Sequence, residues 1–274
     1  MPAVQLARLR IQIVRLSELF QDPPAFRQGL ESLLEHYGDR SYRHGEEIIE
    51  SGQTPSFNVP PLVMRQLEME LNQVTGDVIH SNFELLDSIW SSEYREMRQI
   101  AIFLLGRTAA NEPKSYFTTL KKWCQPGEDI SLLEELLAKS GEKIRAHDPA
   151  AWLAMANTWC RHKNYRVQEI GLIALDPLLS EQGLENLPEI FNILEPLLLE
   201  TDLALQKRLL VTCQRLYDTS PVETLEYFKH LFQSNASDHF LRMMRRLVPT
   251  LSDDDQVKMR QVLPRSTASI KKQT

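Results

Sequence analysis

Apolar residues recur three and four positions apart along most of the chain, which is the spacing of one face of an α-helix. The clearest example is the stretch from residue 90 to residue 107. Its apolar face consists of Tyr94, Met97, Ile100, Ala101, Leu104 and Leu105. The pattern predicts that Ser91 and Ser92 cap the start of this helix and that Gly106 closes its end. No stretch shows sustained strand alternation, so an all-α fold is predicted.

Segments with a similar sequence recur further along the chain. Residues 99–105 align with residues 169–175, and residues 167–169 align in turn with residues 205–207. The first offset spans two repeats and the second spans one, which gives a unit of about 35 to 40 residues, the range of two-helix solenoid repeats. We therefore predict an α-solenoid in which each repeat packs mainly on its neighbours.

Breaks in the apolar pattern divide the chain into three predicted parts. Residues 1–59 are predicted to form a helical cap, residues 60–264 the repeat solenoid, and residues 265–274 a disordered tail without an apolar pattern. Capping residues and prolines predict helix starts within the first two parts. These starts are Asp22-Pro23, Pro60-Pro61, Asn111 to Pro113, Asp129, Asp148-Pro149, Pro188, Thr201-Asp202, Ser220-Pro221, Ser237-Asp238 and Ser252-Asp253.

The composition narrows the classes of function. The chain of 274 residues carries a net charge of −6 and has a pI of about 5.7, which argues against a generally basic nucleic-acid binder but leaves room for a local basic stripe. Its three cysteines predict neither a disulfide framework nor a zinc motif and suit small core residues, and we expect no metal and no cofactor. No apolar run reaches the length of about 20 residues that a membrane span needs, and the charged N-terminus does not fit a signal peptide. A cytoplasmic location without membrane contact is therefore expected.

Cations near helix starts and on repeat faces form the first candidate site. One cation per repeat on a concave surface would meet successive phosphates and give affinity that does not depend on base sequence. The densest group lies between residues 161 and 166, where an aromatic ring is also available for stacking. The alternative is that these charges lie on solvated helix faces. The candidates for nucleic-acid binding are Arg161, Lys163, Tyr165, Arg166, Lys207, Arg208, Arg242, Arg245 and Arg246.

Two other features have alternative interpretations. Trp123, Trp152 and Trp159 either contact an exposed base or form part of the core, and the helical spacing of Trp152 and Trp159 favours the core. Asp129 directly precedes a helical run, where an aspartate caps backbone N–H groups. The residues around Asp129 do not by themselves indicate a catalytic role, so such a role can be inferred only from resemblance to a known family.

Such a resemblance exists to the AlkD-like DNA alkylation repair family, and it runs from about residue 44 to residue 262. Members of this family are built of HEAT-like helical repeats, so the resemblance implies a right-handed α-solenoid of HEAT-like two-helix repeats. The stretches that carry it are Phe57 to Leu67, Trp90 to Arg107, Arg166 to Leu175, and Leu205 to Leu210 with the following Ser220 to Glu223.

The resemblance also implies a chemistry. In the family, glycosylase activity is attributed to an aspartate in a Trp-Asp-x-x-Asp-like segment, which offsets the positive charge that builds on a modified nucleotide as its glycosidic bond breaks. An arginine and tryptophans line the DNA-facing groove. In this chain Asp129 matches the first acid and is the one catalytic candidate, whereas Leu132 takes the place of the second. The arginine pair falls on Gln168 and Glu169, and Val211 replaces an expected tryptophan.

Together these observations predict a repeat protein that binds alkylated, damaged or branched DNA through a concave surface, without retained glycosylase activity. One alternative is a helical scaffold that binds a protein partner in the same groove, which the acidic pI favours. A second alternative is an active alkylpurine DNA glycosylase that depends on Asp129.

Overall fold

All regular elements in the described part of the chain are helical. A computed structural model describes residues 6–38, 54–75, 82–109, 111–180, 187–200, 203–235 and 237–263. The helices are α1 (Leu6–Ser17), α2 (Pro23–Tyr37), α3 (Pro61–Thr75), α4 (Phe83–Trp90), α5 (Arg95–Thr108), α6 (Pro113–Trp123), α7 (Ile130–Glu135), α8 (Glu142–His147), α9 (Pro149–Cys160), α10 (Tyr165–Ser180), α11 (Leu187–Leu199), α12 (Gln206–Thr219), α13 (Pro221–Asn235), α14 (Asp238–Leu247) and α15 (Asp253–Val262). No β-strand occurs within these ranges, which confirms the all-α prediction.

The chain divides into two compact units, residues 1–149 and residues 150–274. In the first unit, helices two places apart in the chain pack together: α1 contacts α3, α2 contacts α4, and α5 contacts α7. The second unit has the same arrangement, since α10 contacts α12, α12 contacts α14, and α13 contacts α15. No helix in the described ranges is long and apolar enough to cross a membrane. The predicted boundary near residue 60 remains a prediction, and the predicted tail lies outside the described residues.

Several helix starts have the predicted caps. Asp22 Oδ1 accepts a hydrogen bond from the backbone N–H of Ala25 at 3.1 Å, and Ser237 Oγ accepts one from Phe240 at 3.1 Å. Such bonds satisfy N–H groups that have no partner within the helix. The predicted start at Thr201-Asp202 lies outside the described residues.

The helix predicted from residue 90 begins later than expected. Trp90 ends α4, and α5 starts only at Arg95. Neither serine caps it: Ser91 closes α4, and the residue before α5, Tyr94, makes no side-chain capping bond. The apolar spacing runs through the turn without interruption, so periodicity alone did not reveal the break.

The prediction that Gly106 ends this helix is also wrong, because α5 continues to Thr108. The glycine allows a close approach instead: a methyl group added to it would lie 3.2 Å from Ser140 Cα. Ser140 belongs to a π-helical turn, Leu136–Ser140, whose carbonyls of Leu137 and Ala138 accept hydrogen bonds from the buried Arg145 at 2.8 and 3.0 Å. The guanidinium thus satisfies carbonyls that the π-helical turn leaves exposed to it.

The tryptophans and cysteines of the two units belong to their cores. Trp123, Trp152 and Trp159 are at most 8% exposed, which confirms the core interpretation over contact with an exposed base. All three cysteines are buried free thiols, as predicted. Burial raises the pKa of Cys160 and of Cys213 to about 12, so neither forms a reactive thiolate near neutral pH.

Side chains in the first unit bond to partners 36 positions away in the chain. Trp123 Nε1 donates to Asp87 Oδ1 at 2.7 Å across 36 positions. Gln99 Nε2 donates to Glu135 Oε2 at 2.9 Å, also across 36 positions. These bonds join helices that are not adjacent in the chain and fix their register.

The second unit has links of the same length. The hydroxyl of Tyr227 donates to the carbonyl of Phe191 at 3.0 Å across 36 positions, and Ser237 Oγ donates to the carbonyl of Leu199 at 2.7 Å across 38. Side-chain bonds across 36 to 38 positions therefore occur in both units.

We expect Gly171→Ala to destabilise the second unit. A methyl group at this position would lie 2.6 Å from Cys160 Sγ and 2.7 Å from the Cys160 backbone nitrogen. The backbone of α9 cannot move away as a flexible side chain would, so we expect a loss of about 1 to 3 kcal/mol in the free energy of unfolding, measured by chemical denaturation.

Gly29→Ala is the matched control. There the nearest atom is the tip of Leu16, which can move, so the better helix propensity of alanine offsets the contact. Equal destabilisation by both substitutions would contradict the close α9–α10 approach.

Candidate functional site

The loop between α9 and α10 is ordered by its own polar groups. His162 Nδ1 accepts a hydrogen bond from the backbone N–H of Asn164 at 3.0 Å. Asn164 Oδ1 in turn accepts one from the N–H of Arg166 at 3.0 Å, which caps the start of α10. These two hydrogen bonds fix the backbone of the loop, and with it the positions from which the neighbouring side chains extend.

Three exposed cations extend from this loop: Arg161, Lys163 and Arg166. Arg161 Nε donates to Asn157 Oδ1 at 2.8 Å, and Arg166 Nε donates to the hydroxyl of Tyr165 at 3.3 Å. Among the described residues, no carboxylate oxygen lies within 4.0 Å of any of the three. Their charges are thus available to an external anion. We call these three cations and Tyr165 the basic loop.

The guanidinium of Arg166 lies above the ring of Tyr165, with its central carbon 6.0 Å from the ring centroid. This contact limits the positions that the long arginine side chain occupies. It also places a flat aromatic surface beside a cation, a combination that suits both a phosphate and a base of a nucleic acid.

The other predicted cations do not join the basic loop. Lys207 and Arg245 are exposed, and Arg246 Nη1 donates to Gln206 Oε1 at 2.7 Å. Lys207 stands in the first turn of α12, a different helix from the one that follows the basic loop.

Arg208 has a structural partner. Its Nη1 atom lies 3.2 Å from Asp176 Oδ2 on α10, and Arg215 reaches the same oxygen at 2.6 Å. Asp176 is 6% exposed and the Arg208 side chain is 11% exposed, so removing Asp176 would take this counter-ion from a nearly buried guanidinium. Arg208 therefore fixes α12 against α10, and its guanidinium is less available to DNA than those of the basic loop.

Asp129 uses both carboxylate oxygens in internal hydrogen bonds. Oδ1 accepts from the N–H and hydroxyl of Ser131 at 2.9 and 2.7 Å. Oδ2 accepts from the N–H and hydroxyl of Thr54 at 3.3 and 3.1 Å. Burial acts to raise the pKa of Asp129, but these hydrogen bonds outweigh it and lower the pKa below the ordinary value of 3.8. The side chain is the predicted cap of α7, and it also fixes Thr54.

A cleft in the first unit brings together residues that the sequence did not single out. It has a volume of about 430 Å³, and its walls come from residues 56–61, α3, α5 and residues 135–139. Its polar residues include Arg65, Glu68 and Glu135. We call it the Glu135 cleft.

Glu135 is the most extensively bonded acid of this cleft. Its carboxylate accepts from Lys139 Nζ at 2.7 Å and from Gln99 Nε2 at 2.9 Å, and it lies 3.3 Å from Arg95 Nη2. Burial acts to raise the pKa of Glu135, but the hydrogen bonds from Lys139 and Gln99 and the charge of Arg95 lower it overall. Glu135 is therefore ionised at neutral pH. The one sequence signal for it is the spacing of four to Lys139.

The buried Glu96 holds the segment that closes one side of the cleft. Its carboxylate accepts from Ser56 Oγ at 2.7 Å and from the backbone N–H groups of Phe57 and Val59 at 3.0 and 3.3 Å. Asn58, between them, has φ of 55°, a left-handed conformation that lets the adjacent N–H groups converge on one carboxylate. Glu96 is thus a structural acid.

Comparison with known protein families gives one match. A family model described as DNA alkylation repair enzyme matches residues 33–209. The chain belongs to the DNA alkylation repair enzyme family. No curated protein and no solved structure matches it. The matched segment of this family member contains the basic loop and the Glu135 cleft and ends before α13.

The positions where this member departs from the expected family pattern have distinct surroundings. Leu132, in place of the second acid, is fully buried in the apolar core and contributes no charge. Val211, in place of a tryptophan, is 38% exposed. Gln168 and Glu169 are half-buried on the first turn of α10, directly after the basic loop.

We expect Asp129→Asn to weaken the pH dependence of stability. A group whose pKa is lower in the folded protein contributes stability above its unfolded pKa, and this contribution disappears as the pH falls through the folded pKa. The wild type should therefore exceed the variant in melting temperature at pH 7, and the difference should shrink below about pH 4, since asparagine caps helices equally well.

The control is Asp254→Asn, an exposed aspartate of α15. A difference between wild type and Asp129→Asn that stays constant from neutral pH to about pH 3 would contradict the bonding described for Asp129.

Proposed function

We propose that this family member binds DNA through phosphate contacts and recognises its shape, with the basic loop as the main contact. The observation that carries the proposal is the presence of three exposed cations without a carboxylate partner among the described residues, within six positions of a chain whose net charge is −6. In an acidic protein, cations are ordinarily paired or dispersed, so a cluster of this kind is suited to bind an external polyanion.

We further propose that the helices of each unit form HEAT-like repeats of a right-handed α-solenoid. Three features support this: the repeated sequence phrase, the contacts between helices two places apart, and the side-chain bonds across 36 to 38 positions. A solenoid of this kind presents successive helices on a concave surface, which suits the phosphate backbone of DNA. The cytoplasm is the location that we propose for this activity.

We propose that Asp129 has no catalytic role. A carboxylate that stabilises a developing positive charge needs an oxygen free to face the substrate, whereas both oxygens of Asp129 are hydrogen-bonded to Thr54 and Ser131. This supports the proposal of DNA binding without base excision at Asp129.

Substitution of Arg161, Lys163 and Arg166 by glutamine should weaken binding to duplex, nicked and junction DNA by about 10- to 100-fold at low salt. Each lost phosphate contact should also reduce the slope of log affinity against log salt by about 0.9. Fluorescence anisotropy over a salt series measures both quantities.

The matched control replaces Arg8, Arg15 and Lys114, which are exposed cations of the first unit, by glutamine. It removes the same net charge and should leave affinity within about twofold, since surface charge away from the contact has little effect. Equal loss in both triple variants would point to general charge attraction. If the wild type binds none of the DNA forms but binds a protein partner, the helical-scaffold alternative replaces our proposal.

The glycosylase alternative has its own test. We expect no release of alkylated bases from methylated DNA, measured by chromatography, in either the wild type or Asp129→Asn. Release that Asp129→Asn reduces by 100-fold or more, about 3 kcal/mol of lost transition-state stabilisation, would contradict the structural role that we assign to Asp129.

A further inference from the structure

The Glu135 cleft has an acid that lacks a partner among the described residues. Glu68 lies on α3 in the cleft wall and makes no hydrogen bond or ion pair within the described part of the chain. Burial raises its pKa, while the charge of Lys139 acts in the opposite direction. Glu135, by contrast, is fully engaged by Lys139, Gln99 and Arg95. Of the three acids that line the cleft, Glu96 and Glu135 are both held by internal hydrogen bonds, so Glu68 is the one with capacity to accept a hydrogen bond from a ligand.

The cleft also has an apolar wall and cations. Val59, Pro61 and Met64 contribute apolar surface, and Arg65 follows Met64 on the exposed side of α3. Arg65 and Lys139 both act electrostatically on Glu68, so positive charge lies close to the free acid. A ligand that fits these surroundings has a flat apolar body, N–H donors on one edge and an anionic group at one end.

A nucleotide with an exocyclic amino group has this combination. Its base is flat, its amino group donates hydrogen bonds, and its phosphate is anionic. The volume of about 430 Å³ lies in the range of sites that take small molecules. A base within a duplex is stacked and paired, so only an unpaired or extruded base reaches such a cleft.

We propose that the Glu135 cleft accepts an unpaired, amino-bearing base of DNA, with Glu68 accepting from its amino group and Arg65 and Lys139 facing its phosphates. This inference rests on the proposed DNA binding and specifies which DNA is preferred. The side chain of Met64 lies against the base plane, and the Glu135 network with Arg95 and Gln99 keeps the cleft walls in place.

The test compares DNA duplexes of one length that differ at a single bulged position, which holds adenine, thymine or an abasic site. The wild type should bind the adenine bulge about tenfold more tightly than the abasic bulge, the value expected for a base that is both stacked and hydrogen-bonded to a charged group. The thymine bulge should fall between them, because thymine has no exocyclic amino group.

Two variants alter the cleft in different ways. Glu68→Ala removes the acceptor, and Met64→Trp fills the space. Both should reduce the ratio of adenine-bulge to abasic-bulge affinity to about one, a loss of the tenfold preference, with affinity for the fully paired duplex unchanged. Glu18→Ala, an exposed acid after α1, is the matched control and should preserve the ratio. Thermal melting identifies a variant that fails to fold. If either Glu68→Ala or Met64→Trp fails to fold, the ratio measured with the other variant tests the proposal.

The outcomes separate this inference from the proposed function. Binding to all duplexes that depends on the basic loop but shows no preference for adenine overturns the cleft proposal alone. Absence of binding to every DNA form overturns both. If the wild type prefers lysine-containing peptides to bulged DNA, and Glu68→Ala abolishes that binding, the cleft serves a peptide and our proposal is wrong.

Discussion

Side-chain hydrogen bonds between helices 36 to 38 positions apart in the chain hold each compact unit in register. A helix with one apolar face cannot bury that face alone, so it depends on its neighbours. Apolar contact is non-directional and permits helices to slide, whereas a hydrogen bond from Trp123 to Asp87, or from Ser237 to the carbonyl of Leu199, permits one alignment. The positions of Glu135, Gln99 and Arg95 in the cleft follow from the same constraint, since the bonds of Glu135 to Arg95 and Gln99 span 40 and 36 positions.

The acids of the first unit show how position decides the role of a carboxylate. The carboxylate of Glu96 accepts hydrogen bonds from the turn at Phe57 and Val59, and that of Asp129 accepts them from Thr54 and Ser131. Both stabilise the segment that precedes α3, which forms one wall of the cleft. Glu68 makes no comparable hydrogen bond to another described residue. The carboxylates of Glu96 and Asp129 thus stabilise the fold, and Glu68 is the acid of the cleft to which we assign a ligand.

Much of the fold could be predicted from the sequence, because apolar spacing, prolines and capping residues act locally. The starts at Asp22, Asp129 and Ser237 are examples. The break before α5 could not be predicted, since the apolar spacing continues across it. Gly106 was assigned to a helix end, although its role is a contact with Ser140, which lies 34 residues away in sequence and becomes a neighbour only after packing.

The sites show a similar division. The basic loop is a local cluster, so its residues could be found by reading along the chain, but the pairing of Arg208 with Asp176 and Arg215 could not. The Glu135 cleft was missed, since its acids and cations come from elements distant in sequence.

Protection of lysines from acylation tests the account most directly. A lysine reagent is applied with and without duplex DNA at low salt, and modification is quantified by mass spectrometry at Lys163 in the basic loop and at the exposed Lys114 of α6. We expect DNA to slow modification of Lys163 about tenfold or more while Lys114 changes little, because the phosphate contact is confined to the loop. Equal rates at Lys163 with and without bound DNA would contradict it.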